Sequence, residues 1–436
     1  MKIGVVSLGC DKNRVDTEKM LSRLISAGHT FARTEEESDV IIINTCAFID
    51  SAKKESISEI FNALSYKEKG KKIIVTGCMP QRYLEDLKKD IPEVDAYLGT
   101  ADYDKIVEVV DRITKGEKYA CINGGDSFIS HRMLTTPSHY AYLKIADGCD
   151  NFCSYCAIPY IRGRYRSEKM EDLLLEARKL SDDGVKELIL VAQDVTNYGK
   201  DLSKDKKPML IELLDALCKL DFERIRLLYL EPDSFTDELI EKIKNEKKIC
   251  NYVDIPFQHA SNQILKKMNR HYTKEEMYAL VNKLKKAGIT IRSTFIIGFP
   301  GECEEDFNEL KEFMEKSQLD YAGFFAYSKE EGTIAAKYEQ CDPKDTKRRL
   351  KEIQKIQNNI MKEKNKNLVG KVIKVISDGI DYDTQSFIGR TEYQAPDIDG
   401  VIYFASDELV EEGKTYDVEI TSYKGSYLFG RTVQWN

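Results

Sequence analysis

Three cysteines carry the strongest chemical signal in this chain. Cys149, Cys153 and Cys156 stand in the run Asp147-Gly148-Cys149-Asp150-Asn151-Phe152-Cys153-Ser154-Tyr155-Cys156, a C-x3-C-x2-C spacing. Three thiolates that close together can hold three irons of a 4Fe–4S cluster. No fourth cysteine follows at a short spacing, so the fourth iron stays open to another ligand. An open iron is a site for chemistry, whereas a fully ligated cluster mostly carries electrons. Structural zinc would ask for four closed ligands in Cys or Cys/His pairs, and no histidine is near. Single buried cysteines are common core residues, but three within eight residues beside a glycine are poor core filler.

A second set of three is spread over the first hundred residues. The run Ile3-Gly4-Val5-Val6-Ser7-Leu8-Gly9 leads to Cys10, Val40–Thr45 leads to Cys46, and Lys72–Gly77 leads to Cys78. The spacings of 36 and 32 residues are those of βαβ units. The runs are rich in Ile and Val without polar alternation, as in parallel strands buried on both faces. Helical stretches near Arg14–Ala27, Ser51–Leu64 and Gln81–Lys89 separate them. Right-handed crossovers put like strand ends on one edge, where open α/β sheets bind ligands. Cys10, Cys46 and Cys78 should therefore meet and hold a second cluster with an open iron. The bland alternative is that each merely caps its strand as a small hydrophobe.

The elements that must position these residues fall into three units, an α/β protein overall. Residues 1–120 read as an open parallel α/β sheet. Residues 135–365 read as a partial (βα)6 barrel, with strands near Tyr140–Ala146, Glu187–Gln193, Arg224–Leu230, Tyr252–Pro256, Thr290–Gly298 and Tyr321–Tyr327. Helices are expected between them at Lys169–Asp182, Met209–Leu220, Thr236–Asn245, Lys274–Ala287 and Glu304–Lys316. Chemistry on such barrels sits at the C-terminal strand ends, where the triplet Cys149/Cys153/Cys156 falls. Gln193-Asp194, Gln258-His259 and Gly298-Phe299-Pro300-Gly301-Glu302 end other strands and are candidate partners. A lone His259 is more often structural, and a Gly/Pro cluster more often only a turn.

Lys344–Asn367 reads as a long linker helix with an apolar stripe at Leu350, Ile353, Gln357 and Ile360 and nine Lys/Arg against three Asp/Glu. A solvated basic face is the default; contact with an acidic partner is the sharper alternative. Residues 366–436 read as a small antiparallel β barrel, with runs at Lys371–Ser377, Gly400–Phe404, Tyr416–Ser422 and Ser426–Val433. Such barrels often bind RNA, but this one has seven Lys/Arg against twelve Asp/Glu. An acidic surface suits a basic protein better than a phosphate backbone.

The bulk numbers fit a cytoplasmic enzyme. In 436 residues, 42% are hydrophobic and 32% charged, a globular balance. Eleven cysteines, an odd number spread along the chain, argue for reduced thiols rather than a disulfide scaffold. No stretch has the roughly 18 apolar residues of a membrane span. Ser7-Leu8-Gly9-Cys10 looks like a lipoprotein cleavage box, but too few residues precede it for a signal peptide. Cys121, Cys218, Cys250, Cys303 and Cys341 are assigned to packing or surface.

Over essentially its whole length the chain resembles a radical S-adenosylmethionine (SAM) methylthiotransferase. Ser7-Leu8-Gly9-Cys10-Asp11-Lys12-Asn13-Arg14-Val15-Asp16-Thr17-Glu18 resembles the opening of that family. Cys149 to Cys156, with Ile158-Pro159-Tyr160-Ile161-Arg162-Gly163-Arg164, resembles its radical SAM signature, and the tail its TRAM barrel. Three local features resemble the branch that modifies an aspartate of small-subunit ribosomal protein twelve (uS12). They are Ser-Leu-Gly-Cys10 with Lys12-Asn13, the run Val191–Gly199, and Gly389–Gly400. Asp11 stands where proline is more often expected.

The resemblance implies that SAM chelates the open iron of the Cys149/Cys153/Cys156 cluster, with Tyr155 near the adenine. Gln193, Gln258, Gly298 and Gly301 are the other candidate SAM contacts. A radical formed from SAM would take hydrogen from the aspartate β-carbon. The Cys10/Cys46/Cys78 cluster would carry the sulfur, which a second SAM methylates. The cofactors are then two 4Fe–4S clusters and SAM; the partners are uS12 and a reducing electron donor, with no membrane. A net charge of −8 means nucleic-acid contact is not expected to dominate. The competing readings are a tRNA adenosine methylthiotransferase, a two-cluster electron carrier, and an RNA-binding scaffold with structural metal.

Overall fold

The Ile/Val runs form the centre of the first sheet, because their side chains find cover on both faces. The computed structural model describes residues 1–122 and 132–433. Strands β1 (Lys2–Ser7), β2 (Thr30–Phe31), β3 (Val40–Thr45), β4 (Lys72–Gly77), β5 (Ala96–Leu98) and β6 (Tyr119–Cys121) are all parallel. Their order is β2-β1-β3-β4-β5-β6. Every residue of β3 is buried. The sequence reading found β1, β3 and β4; the other three strands are two or three residues long, too short for a distinct apolar run. Helices α1 (Asp11–Ser26), α2 (Asp50–Leu64) and α3 (Cys78–Asp90) cross between them.

The central unit is a six-stranded parallel sheet that does not close. Its strands are β7 (Tyr140–Lys144), β10 (Glu187–Val191), β11 (Arg224–Leu227), β12 (Ile249–Asp254), β13 (Thr290–Ile297) and β14 (Tyr321–Ala326), paired in that order. The short strands β8 (Ala146–Asp147) and β9 (Arg166–Ser167) pair beside the first cysteine loop. Burial alternates along β13: Ile291, Phe295 and Ile297 face the outer helices, while Arg292 and Thr294 face inward. The helix Pro343–Lys366 is more than a linker. It covers β13 and β14, and Arg349, counted above in a solvated basic face, is buried against Glu302 at 2.9 Å.

The third unit is a closed barrel of β15 (Val372–Asp381), β16 (Ser386–Arg390), β17 (Ile402–Ala405), β18 (Thr415–Lys424) and β19 (Tyr427–Thr432). It departs from the antiparallel expectation at one seam, where β17 and β19 run parallel. The residues after β16 reach out of the barrel into the central unit. Ala395 packs with Tyr142, Tyr252 and Leu228 inside the open sheet, together with Val15 from α1. Tyr252 donates its hydroxyl to Asp399 at 2.8 Å, and Arg14 of α1 pairs with Asp397. All three units thus share one core.

That core carries a buried ion network with a measurable acid dependence. Glu187 receives Arg226 at 2.6 Å and Arg390, from β16, at 3.1 Å. Burial alone would push the Glu187 carboxyl up; Arg226, Arg390 and Arg224 overcome it and hold it at about 2, below its ordinary 4.5. A carboxyl lowered by folding stabilises fully above its unfolded value and loses that stability as pH falls toward the folded one. The shift is worth about 3 kcal/mol. Urea unfolding free energies should therefore drop between pH 5 and 3, and drop less steeply in Glu187→Gln. Equal slopes would assign the acid sensitivity elsewhere.

Candidate functional site

Three strand ends converge around Asn13. Its side-chain amide donates to Leu8 O at 3.1 Å and Thr45 O at 3.0 Å, and its Oδ1 lies 3.7 Å from Cys78 Sγ. The chain before Cys10 and before Cys78 is glycine in a left-handed conformation, Gly9 at φ +90° and Gly77 at φ +98°. A Cβ on Gly9 would stand 2.9 Å from Cys46 Cβ; one on Gly77 would stand 2.3 Å from Asn44 Oδ1. Neither position admits a side chain, which is how these turns come so close. Buried Ser56 of α2 holds Cys46 through both its backbone N–H and its carbonyl. Cys10, Cys46 and Cys78 are brought within electrostatic range of one another.

The second triplet sits in a loop after β7 that is strapped from two sides. A Cβ on Gly148 would meet Arg164 O at 2.2 Å, and Cys149 N–H donates to Gly163 O. Phe152 holds a left-handed φ of +46°, and the Asn269 amide donates to Asn151 O and Phe152 O at 3.1 Å each. Ser154 donates from its hydroxyl to Lys267 O and from its N–H to Met268 O. Arg270 reaches Cys153 Sγ at 3.5 Å while pairing with Glu231 at 2.7 Å.

Two bridges connect the triplets. On one side, Arg162 donates to Asp16 and Asp147, to Asn13 Oδ1, and toward Cys78 Sγ at 3.8 Å. Lys144 joins the same pair of carboxylates. Asp147 is two residues before Cys149, so one guanidinium spans from one triplet to the approach of the other. On the other side, Glu231, the partner of Arg270, is two residues after Tyr229. Tyr229 has φ +60°, a strained state for an aromatic residue. Its hydroxyl donates to Asp11 at 3.2 Å, beside Cys10. Asp11, Asn13, Asp16, Asp147 and Arg162 lie inside motifs quoted above, with no bridging role legible there; Lys144, Tyr229, Glu231 and Arg270 belong to no such motif.

Five of the six thiols are at least partly buried, while Cys10 is exposed. Burial pushes Cys78 and Cys149 up to about 12, and raises Cys46, Cys153 and Cys156 as well. Buried sulfur resists ionising until a cation replaces its proton, which is what iron supplies. Among the described residues, no three Cys, His, Asp or Glu side chains close tightly enough to grip a single metal ion. Each triplet offers three thiols, the donor type that an iron–sulfur cluster takes.

The other candidate residues have these places. Tyr155 stacks edge-on against Phe299 at 6.4 Å in an apolar cluster with Ile264 and Met268. Gln193 donates to Asp147 at 3.1 Å, and its buried Oε1 has no donor among the described residues. Gln258 bridges to Phe295 with φ +67°. Gly298 and Gly301 also have positive φ, but their open faces are taken by neighbours: a Cβ would meet Thr346 Oγ1 at 2.2 Å and Lys267 Nζ at 2.6 Å. His259 is fully buried, accepting from Ser261 N–H, with Glu302 3.6 Å away. Of the remaining cysteines, Cys121 touches Lys105 and Asp102, Cys250 lies in the shared core, Cys303 caps a helix with Asp306, and Cys341 donates to Phe299 O. Cys218 packs half-buried on the main core.

An open parallel barrel with a three-cysteine loop at its mouth defines a radical SAM protein. The Radical SAM superfamily matches residues 143–314, the TRAM domain matches residues 369–433, and the uncharacterized protein family UPF0004 matches residues 2–99. By fold, a radical SAM methyltransferase, TsrM from Kitasatospora setae, is similar at a TM-score of 0.57 and 12% identity, over 74% of this chain and 72% of that one. The ribosomal protein uS12 methylthiotransferase RimO of Clostridium botulinum (strain Loch Maree / Type A3) is 47% identical over 97% of this chain and 96% of that protein. RimO of Lachnoclostridium phytofermentans is 47% identical over 99% of both chains. The chain belongs to the RimO family of radical SAM methylthiotransferases. No helix among the described residues is long and apolar enough to cross a membrane.

Proposed function

We propose that this protein transfers a methylthio group to the β-carbon of an aspartate in ribosomal protein uS12. Cys149, Cys153 and Cys156 hold one 4Fe–4S cluster, and Cys10, Cys46 and Cys78 a second. When bound, the clusters and two SAM molecules supply the radical that breaks a strong C–H bond and the methylthio group that replaces the hydrogen.

The observation that carries this reading is the double bridge, Arg162 with Asp147 on one side and Arg270–Glu231–Tyr229 on the other. It favours two cysteine triplets facing one cleft, close enough for one carbon to be served by both. Arg270 and Arg162 each bring a guanidinium to a sulfur, which stabilises thiolate charge and excludes water from it. Gln193 Oε1, buried without a donor, is available to a hydroxyl or amine of SAM. Tyr155 closes the apolar side of the same mouth. An external reductant must provide the electron, and a ribosomal substrate puts the work in the cytoplasm.

The test is mass spectrometry of uS12 and of tRNA from cells with and without the gene. A methylthio group should vanish from the uS12 aspartate. Its loss from tRNA alone would replace this reading with the tRNA one.

A further inference from the structure

Lys12 stands in the first turn of α1, two residues after Cys10. The residue is only 6% exposed. The ammonium lies 3.2 Å from the centre of the Tyr229 ring. No carboxylate of the described residues comes within ion-pair distance of it. Asp11, the nearest acid in sequence, instead accepts from the Tyr229 hydroxyl. Lys144, buried as deeply, shows the ordinary solution: it pairs with Asp16 and Asp147. A desolvated ammonium resting only on a ring face is an incomplete arrangement, because the ring replaces little of the lost hydration.

The helix end beside it is incomplete too. Cys10 is the N-cap of α1 and its side chain makes no capping hydrogen bond. The first amides of the helix therefore present partial positive charge where Lys12 presents a full one. Both converge at Cys10 and Tyr229, between the two triplets. The strained backbone of Tyr229 keeps its ring under the ammonium.

We propose that Lys12, with the leading amides of α1, binds the side-chain carboxylate of the substrate aspartate. This rests on the function proposed above and names the residue that selects its substrate. The β-carbon is bonded directly to the carboxylate carbon. Anchoring the carboxylate therefore fixes a group one bond away from the reacting carbon. An asparagine at the same place offers no charge to Lys12, and the site should reject it.

The test uses the cluster-loaded full chain and two synthetic peptides of the uS12 loop, with Asp or with Asn at the modified position. The parent chain should bind the Asp peptide at least about tenfold more tightly. Lys12→Met should bind the two alike, and Lys12→Arg should keep most of the preference. Zero-length carbodiimide coupling of the parent chain with the Asp peptide should join that aspartate to Lys12 Nζ, read by tandem mass spectrometry. This arm decides the matter should Lys12→Met fail to fold. Undiminished Asp preference in Lys12→Met, or coupling only at other lysines, overturns the assignment while leaving the uS12 reading intact. A parent chain that modifies tRNA and ignores the Asp peptide overturns both.

Discussion

Cys153→Ala abolishes SAM cleavage, whereas Cys46→Ala leaves cleavage measurable and stops sulfur insertion. This split is the expected result if the two triplets divide the labour. Cys153 is the thiol touched by Arg270 and is strapped by the Ser154 and Asn269 contacts. On the proposed assignment losing it removes a cluster ligand, which should cost more than the roughly 100-fold typical of outer partners. Cys46 lies in the other unit, held by Ser56 of α2, and no backbone of the barrel loop depends on it. Deoxyadenosine release and methylthiolated peptide, measured on the same samples, read the two activities separately. Equal loss of both in Cys46→Ala would argue for one shared centre.

The second large effect falls on Arg162. Its guanidinium serves Asp16, Asp147, Asn13 and Cys78 from a fully buried position. Burial pushes the Asp147 carboxyl up, but Arg162 and Lys144 hold it well below the usual carboxylate range. In Arg162→Ala two buried carboxylates must share Lys144 as the one remaining cation of this network. Removing one partner of such a network costs about 3–5 kcal/mol. Urea unfolding should show that loss, and iron bound by the Cys10/Cys46/Cys78 triplet should fall with it. Arg162→Lys should not restore either quantity, since a point charge cannot fork across two carboxylates, an amide and a sulfur. A lysine variant with the parent's iron content would reduce Arg162 to a generic positive charge.

The six cysteines stand out as candidates because local rules place them. Three follow Ile/Val runs at βαβ spacing, and three share one short loop. Local rules also found all six strands of the central sheet, but missed β16 of the closed barrel. They failed on short elements such as β5 and β6, and on the β17–β19 seam, which pairs residues joined by no turn. Gly298 is instructive. Its positive φ was foreseeable as a close approach, but the object that approaches is Thr346, on a helix some fifty residues later.

The identity and spacing of the candidate thiols were thus set by the chain's own periodicity, because strand ends and short loops depend on neighbours in sequence. The relation between the two triplets was decided only by tertiary structure. Arg162 meets Asp16 across 146 residues, Tyr229 meets Asp11 across 218, and the loop at Ala395 seals all three units together. Such pairings bury a charge against its counter-charge, a hydroxyl against a carboxylate, or apolar groups against one another. Their energy exists only once folding has removed the water between them, so no local pattern announces them.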